Sequence, residues 1–426
     1  MGMIDFKILR FGDLNWQQEK KGLSRFYLPS KEIEQTVRRV LEEIIRNGDK
    51  AVSLYTEQFD KQSISPGAFR ITEKAPQPPK DVVDALRWAK RNILCFAKAN
   101  KPKNWSITNR EGARVGEYYT PFRRIGVYVP GGTAPLISTA LMTVCFAKAA
   151  GVKEIVVCSP PPVNPILHFS IIYSGATEIY RIGGIQAIGA LAYGTESIPK
   201  VEKIFGPGNA YVVEAKRQVI GPVSIDLLPG PSEIAVFASW PANPEFIAAD
   251  LLAQAEHGPS SKILFVSPEN SLLESVIGAI NRQLPSLKRQ QILKEVLTDH
   301  AYFVQVRSID EGIGLINDFA PEHLSLQIPG AKKYLAQFKN CGAIYLGPYS
   351  AVAAGDFLAG PSHTLPTGGA AKSFSGLTMS HFYRKTSVVE YSKKALCRVS
   401  SLLETFARIE SLDAHGASIT IRKESK

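Results

Sequence analysis

From Arg124 to Asp226 short apolar runs alternate with longer stretches of helical periodicity. RIGVYVP, KEIVVCSP, EIYRIG, KIFG and VSIDL are brief and rich in β-branched residues, which predicts strands. Between them LISTALMTVCFAKAAG, PILHFSIIYSG, IQAIGALAYG and NAYVVEAKRQV show helical spacing with Gly or polar ends, which predicts helices. Strand then helix, repeated, is the pattern of a parallel sheet with helices on both faces. A second series follows: IAVFA, KILFVSP, AYFVQV, LSLQI and AIYLG read as strands separated by helical stretches. AKAAGVKEIVVCSP and AQAEHGPSSKILFVSP both run helix, turn, strand, Ser-Pro, a local likeness that hints at two units related by duplication.

The flanks differ. KEIEQTVRRVLEEIIRNG and DVVDALRWAKRNILCFAKAN make the region from Ser30 to Asn100 mainly helical by pattern. After Leu377 the chain turns polar, and YSKKALCRVSSLLETFARIESLDAHG reads as helical with little core of its own. Such a tail packs either on its own body or on a partner subunit. The expected fold class is α/β: two Rossmann-like doubly wound parallel-sheet domains with small helical N- and C-terminal extensions.

At 426 residues, 45% hydrophobic and 21% charged, the chain has the composition of an ordinary globular protein with room for two or more domains. No apolar run approaches the ~20 residues of a membrane helix. MGMIDFKILRFGD lacks the layout of a signal peptide, and Phe6 stands where a myristoylation site wants Ser or Thr. The expectation is a cytoplasmic protein with no membrane contact. The net charge of +11 comes from 50 Lys and Arg against 39 Asp and Glu, scattered along the chain. Scattered charge argues against a nucleic-acid partner and suits an anionic cofactor. The five cysteines are widely spaced without C-x-x-C, so neither a disulfide framework nor a thiolate zinc site is expected. Cys145 and Cys158 sit in apolar surroundings and read as buried, inert thiols.

Candidate chemistry lies in a few polar insertions. In LLAQAEHGP, Gln254 and His257 share a helix face while Glu256 points elsewhere, just before the stop at Gly258-Pro259. The pair reads either as metal ligands or as a polar helix end. Glu322 and His323 (FAPEHL), Asp356 and His363 (AAGDFLAGPSHTLPT), and Glu410 and His415 (ESLDAHGAS) are further candidates. A lone histidine is more often structural, but nitrogen and oxygen donors from separate segments suit zinc if they converge. YVPGGTAPL and IFGPGNAYV each precede a helix, whose free N–H groups would suit a phosphate; a tight structural turn is the equal alternative. Neither matches G-x-G-x-x-G.

Taken together, YVPGGTAPLISTALMTVCFAKAAGVKEIVV, GGIQAIGALAYGT, FGPGNAYVVEAK, IDLLPGPSEIAVFA, LLAQAEHGP, FAPEHL, GDFLAGPSHTLPTGGAAKSFSGLT and ESLDAHGASITIR resemble the histidinol dehydrogenase family. The resemblance covers nearly the whole chain, GDKAVSLYTEQFD near Gly48 included. Ser362 departs from an expected Asn and Ser411 from an expected Gly. The resemblance implies oxidation of L-histidinol through L-histidinal to L-histidine with two NAD+ and one Zn2+ per subunit. It implies Gln254, His257, Asp356 and His415 as metal ligands, His323 as general base and Glu322 as the activator of water. Ser232, His363 and Glu410 would line the substrate pocket beside the ligands and His323; Tyr128, Gln186 and Asn209 would hold NAD. It implies a homodimer in which the tail of one subunit completes the other's site.

The expected division is an N-terminal extension over 1–23, a first α/β domain from 24–127 and 233–377, an NAD-binding α/β domain over 128–232, and a C-terminal dimerisation tail over 378–426. Two rivals are a zinc- and NAD-dependent dehydrogenase of the same fold acting on another small alcohol or diol, and a non-catalytic metal- or nucleotide-binding protein. Glu410, placed to meet a cationic amine, argues against the first. Glu322 and His323 together argue against the second.

Overall fold

The computed structural model describes residues 4, 6–13, 16, 23, 29–131 and 135–425. Strand β1 (Lys7–Arg10) is followed by helices α1 (Lys31–Asn47), α2 (Asp49–Asp60) and α3 (Lys80–Ala99), then by strands β2 (Trp105–Thr108) and β3 (Arg114–Pro121). The first alternating series is β4 (Arg124–Tyr128), α4 (Ile137–Ala150), β5 (Glu154–Cys158), α5 (Pro165–Ser174), β6 (Glu178–Tyr180), α6 (Gly184–Tyr193), β7 (Lys203–Phe205), α7 (Ala210–Gln218) and β8 (Ser224–Ile225). Its five strands form one parallel sheet in the order β6-β5-β4-β7-β8.

The second series is β9 (Glu233–Ala238), α8 (Pro244–Ala255), β10 (Lys262–Ser267), α9 (Asn270–Gln283), α10 (Gln290–Asp299), β11 (Ala301–Gln305), α11 (Ile309–Phe319), β12 (His323–Gln327), β13 (Ala343–Leu346) and α12 (Val352–Phe357). These strands and β1 make a six-stranded parallel sheet, β1-β11-β10-β9-β12-β13. Every strand read from the apolar runs is present. For β4 and β9 the reason is double-sided burial, which favours apolar runs; β12 is buried at every position too, but alternates Leu with His323, Ser325 and Gln327.

Alternation along the strands feeds four cores. In β4 and β5, Ile125, Val127, Ile155 and Val157 face α3, α4 and α5, while Val156 and Cys158 face α1, α2, α6 and α7. In β9 and β10, Ile234, Val236, Ile263 and Phe265 face α8, α9 and α10; Ala235, Phe237, Leu264 and Val266 face α11. All five cysteines are free, with Cys145 and Cys158 buried as expected. Among the described residues, no helix is long and apolar enough to cross a membrane.

Three features depart from the sequence reading. Lys7–Arg10 is not a mere extension but the edge strand beside β11. The tail begins with a strand, β14 (Tyr383–Glu390), before its helices α13 (Lys393–Ile409) and α14 (Asp413–Glu424). β14 pairs antiparallel with β3, and β3 with β2; β14 is largely exposed, so it has no buried face to imprint an apolar alternation. Its root is anchored, with Phe382 fully buried and stacked on Phe205 at 4.4 Å between ring centroids. Helices α1 to α3 pack on the five-stranded sheet, whereas the sequence reading grouped them with 233–377. Ser411, noted as a departure from Gly, has φ of 56°, the left-handed region that favours glycine.

One buried ion pair fixes a turn. Lys216 of α7 pairs with Asp226, and both side chains are essentially inaccessible. Lys216 Nζ also donates to Gly206 O at 2.7 Å, and Asp226 Oδ2 accepts from Gly206 N at 2.7 Å. Gly206 has φ of +112°, and a Cβ there would lie 2.0 Å from Tyr128 O, so the GPGN turn requires glycine here. Breaking one side of such a pair leaves a buried uncompensated charge. Lys216→Met is expected to cost about 3–5 kcal/mol of unfolding free energy in urea titration, and Lys216→Met with Asp226→Leu less than Lys216→Met alone.

Candidate active site

The amino ends of β9 and β12 are tied by two carboxylates. Glu322 Oε2 accepts from Glu233 N at 2.9 Å, and Glu233 Oε1 accepts from Glu322 N at 3.2 Å. Ser232 Oγ donates to Glu322 Oε2 at 2.7 Å. His323, the first residue of β12, directs Nδ1 to Glu233 O at 3.2 Å and lies 3.6 Å from Glu322 Oε2. Ala320, which ends α11 three residues earlier, has φ of 50° and turns the chain sharply into this strand. Sequence reasoning missed Glu233; being the first residue of an apolar strand gave it no chemical signal.

Burial raises the pKa of Glu322, against the pull of His323, Ser232 and the Glu233 N–H. Burial lowers that of His323, but the carboxylates of Glu322 and Asp356 outweigh it and raise it to about 9. His323 thus sits between two acids, Glu322 and Asp356, whose negative charge favours its protonated form.

Gln254 and His257 lie at the carboxyl end of α8, where the helix dipole and unpaired carbonyls favour a cation. Gln254 Nε2 donates to Ser232 Oγ at 2.9 Å, which joins it to Glu322. Its Oε1 is buried without a hydrogen-bond partner, a free oxygen donor of the kind a metal takes. His257 is exposed, yet desolvation by surrounding protein lowers its pKa, against the pull of Asp356. Burial opposes ionisation of Asp356, but His323, His363 and His257 around it hold its pKa low. Asp356 Oδ1 lies 3.4 Å from His323 Nε2. Among the described residues no group of three or more His, Cys, Asp or Glu converges as a metal site. One chain offers two such side chains and an amide, so the donor set fits zinc only with a further ligand.

His363 spans the two sheets. Its Nδ1 meets Asp356 O at 2.8 Å and its Nε2 meets Thr139 Oγ1, at the start of α4, at 3.2 Å. The carboxyl edge of the five-stranded sheet thus abuts the amino edge of the six-stranded one. On that carboxyl edge Tyr128 Oη accepts from Gly184 N at 3.2 Å, and Gln186 Nε2 donates to Asp60 at 2.9 Å. Asn209 caps α7, its Oδ1 accepting from Tyr211 N and Val212 N at 3.1 Å. Burial raises Asp60 to about 6, opposed by the bonds from Gln186 and Gly183. Asp60 was not read from the sequence, because FDKQS resembles any helix end. Residues 132–134 of the YVPGGTAPL turn lie outside the described residues.

Glu410 and His415 are exposed on the tail, and among the described residues neither hydrogen-bonds to or ion-pairs with the cluster around Glu322. The same tail exposes Leu402, Phe406 and Ile409 at 62%, 65% and 68%, one apolar row along α13.

The comparisons with known proteins agree with one another. The family model described as histidinol dehydrogenase matches residues 23–423. A histidinol dehydrogenase of Bacillus cereus is 44% identical over 92% of this chain and 94% of its own length. One of Oceanobacillus iheyensis is 39% identical over 96% and 97%. The crystal structure of histidinol dehydrogenase from Elizabethkingia anophelis superposes with a TM-score of 0.94 at 34% identity and covers 99% of both chains. With motifs, fold and full-length relatives in accord, the chain belongs to the histidinol dehydrogenase family.

Proposed function

We propose that this chain oxidises L-histidinol through L-histidinal to L-histidine, reducing two NAD+ in turn. The observation that carries the reading is the contact of the Glu322–His323 pair with the donor set at Asp356. When bound, zinc neutralises Asp356 and holds the substrate's imidazole and amino nitrogens, while NAD+ accepts a hydride in each half-reaction.

His323 in its neutral form takes the proton from the alcohol oxygen as the carbon is oxidised. Its Nδ1 contact with Glu233 O fixes the ring, which leaves Nε2 to face the substrate. Glu322, with a pKa raised by burial, takes a proton from the water that adds to the aldehyde. His323 then removes a proton from the hydrated aldehyde in the second oxidation. Gln254, His257 and Asp356 are the metal ligands of this chain in this reading, and His415 of a second subunit completes them. The exposed row Leu402, Phe406 and Ile409 supports that assembly, since an apolar face of this kind favours cover. Glu410 on the same tail suits the cationic amine of histidinol.

Two NADH are expected per histidinol consumed, with little free aldehyde, in a spectrophotometric titration. Release of the aldehyde after one NADH rules out the two-step reading. Chelation is expected to abolish activity and zinc to restore it. His257→Asn should then lose far more metal, by elemental analysis, than His323→Asn.

Glu322→Gln should slow histidinal oxidation more than histidinol oxidation, by roughly 10²–10⁴. Mixing inactive His323→Asn and His415→Asn chains should restore part of the activity, because one site of each mixed dimer has neither lesion. No recovery after confirmed subunit exchange means that the tail serves its own subunit.

A further inference from the structure

Helix α12, which ends just past Asp356, belongs to the six-stranded sheet, where its Val352 joins the core under α8. The chain that follows it is seated on the other sheet's helices. Asn92 of α3 donates from Nδ2 to Leu358 O at 2.9 Å. Gly360 runs so close to α3 that a Cβ there would lie 2.8 Å from Asn92 O, and its φ is +114°. His363 N donates to Met142 Sδ of α4 at 3.2 Å, and Met142 is fully buried. Thr139, on the same helix, brings its Oγ1 within 3.2 Å of His363 Nε2. The segment from Leu358 to His363 is thus docked on α3 and α4, and Asp356 stands at its root.

The hydrogen bonds along this path have a fixed direction. The last carbonyls of a helix have no partner within it. For Asp356 the partner is His363, whose Nδ1 lies 2.8 Å from the carbonyl oxygen. A carbonyl only accepts, so Nδ1 carries the proton. In the neutral ring Nε2 then offers only a lone pair, and the Thr139 hydroxyl is the donor that meets it. One tautomer and one ring orientation satisfy both nitrogens. Thr139 is buried, which leaves water little room to replace its hydroxyl. The Asp356 carboxylate lies 3.4 Å from His323 Nε2, so a shift of its backbone moves it against the base as well.

We propose that Thr139 is a positioning residue of the metal centre. Its hydroxyl fixes the His363 ring, the ring holds the Asp356 backbone, and the Asp356 carboxylate is thereby aimed from across the cleft. The inference rests on the reading of Asp356 as a zinc ligand. Groups that orient ligands from outside the coordination sphere typically carry about 10–100-fold in metal affinity.

The test is the zinc affinity of the full-length protein, stripped of metal and titrated in competition with a chromophoric chelator. Urea titration of each variant checks folding. Thr139→Val keeps the shape, removes the donor, and should weaken zinc roughly 10–100-fold. Thr139→Ser restores the hydroxyl and should bind zinc as the parent does. Thr143→Val removes a buried hydroxyl one helical turn on, which donates to Thr139 O at 2.8 Å, and should also match the parent. His363→Phe should weaken zinc as Thr139→Val does, and adding Thr139→Val to it should cost nothing more. If Thr139→Val binds zinc as the parent does, or loses no more than Thr143→Val, the proposal fails while the zinc reading stands. If Thr139→Val does not fold, full zinc affinity in His363→Phe overturns the proposal by itself. If the parent binds no zinc, both readings fall together.

Discussion

Glu233 and Glu322 each accept the other's backbone N–H, and the candidate site is built on that exchange. It sits where β9 and β12 begin side by side, so it fixes the register of two strands and the position of His323 at once. Burying two carboxylates is costly unless each has donors. Here the donors are backbone groups at strand starts and Ser232, with the His323 imidazole nearby at 3.6 Å. Through Ser232 the same exchange orients Gln254, which leaves the oxygen of that amide buried and unpaired. A geometric staple and a chemical site are one object.

The position of that object is unusual for its fold. Parallel sheets generally carry their ligands at carboxyl ends, and that edge of the five-stranded sheet is where Tyr128, Gly184 and Gln186 lie. The six-stranded sheet presents its amino ends instead. What those ends offer is the carboxyl terminus of α8, with its negative pole, and backbone N–H groups at the starts of β9 and β12 that hold the Glu322 and Glu233 carboxylates. A cation and a pair of acids can share this edge because its own dipoles have both signs.

Much of this was legible in the sequence. Strands buried on both faces are mostly apolar, so β4, β5 and β9 announced themselves. The polar insertions in LLAQAEHGP and FAPEHL also stood out, because a polar group in an apolar setting has few bland explanations. What stayed hidden lacks contrast. β14 is exposed, and an exposed strand is held by its partner's backbone rather than by a pattern of its own. Glu233 and Lys216 are ordinary charged residues until long-range packing buries them, and Asp60 until it half-buries it. Thr139 meets His363 across 224 residues of chain, a separation that no local pattern reports. Glu410 and His415 lie exposed on the tail, so packing within one chain gives neither a partner in the cluster around Glu322.

The opposed edges bear on the likeness between AKAAGVKEIVVCSP and AQAEHGPSSKILFVSP. In both, a helix ends, turns and starts a strand, α4 to β5 in one and α8 to β10 in the other. The first turn lies on the amino edge of the five-stranded sheet, where Arg124 bridges Glu154 and Glu178. The second lies in the cleft and bears Gln254 and His257. If one unit arose by copying the other, the copies were joined head to tail, and the same loop came to face opposite ways. Ancestry would then predict how each loop packs and nothing of what it does. One loop was left to charge pairing, and the other was open to acquire chemistry.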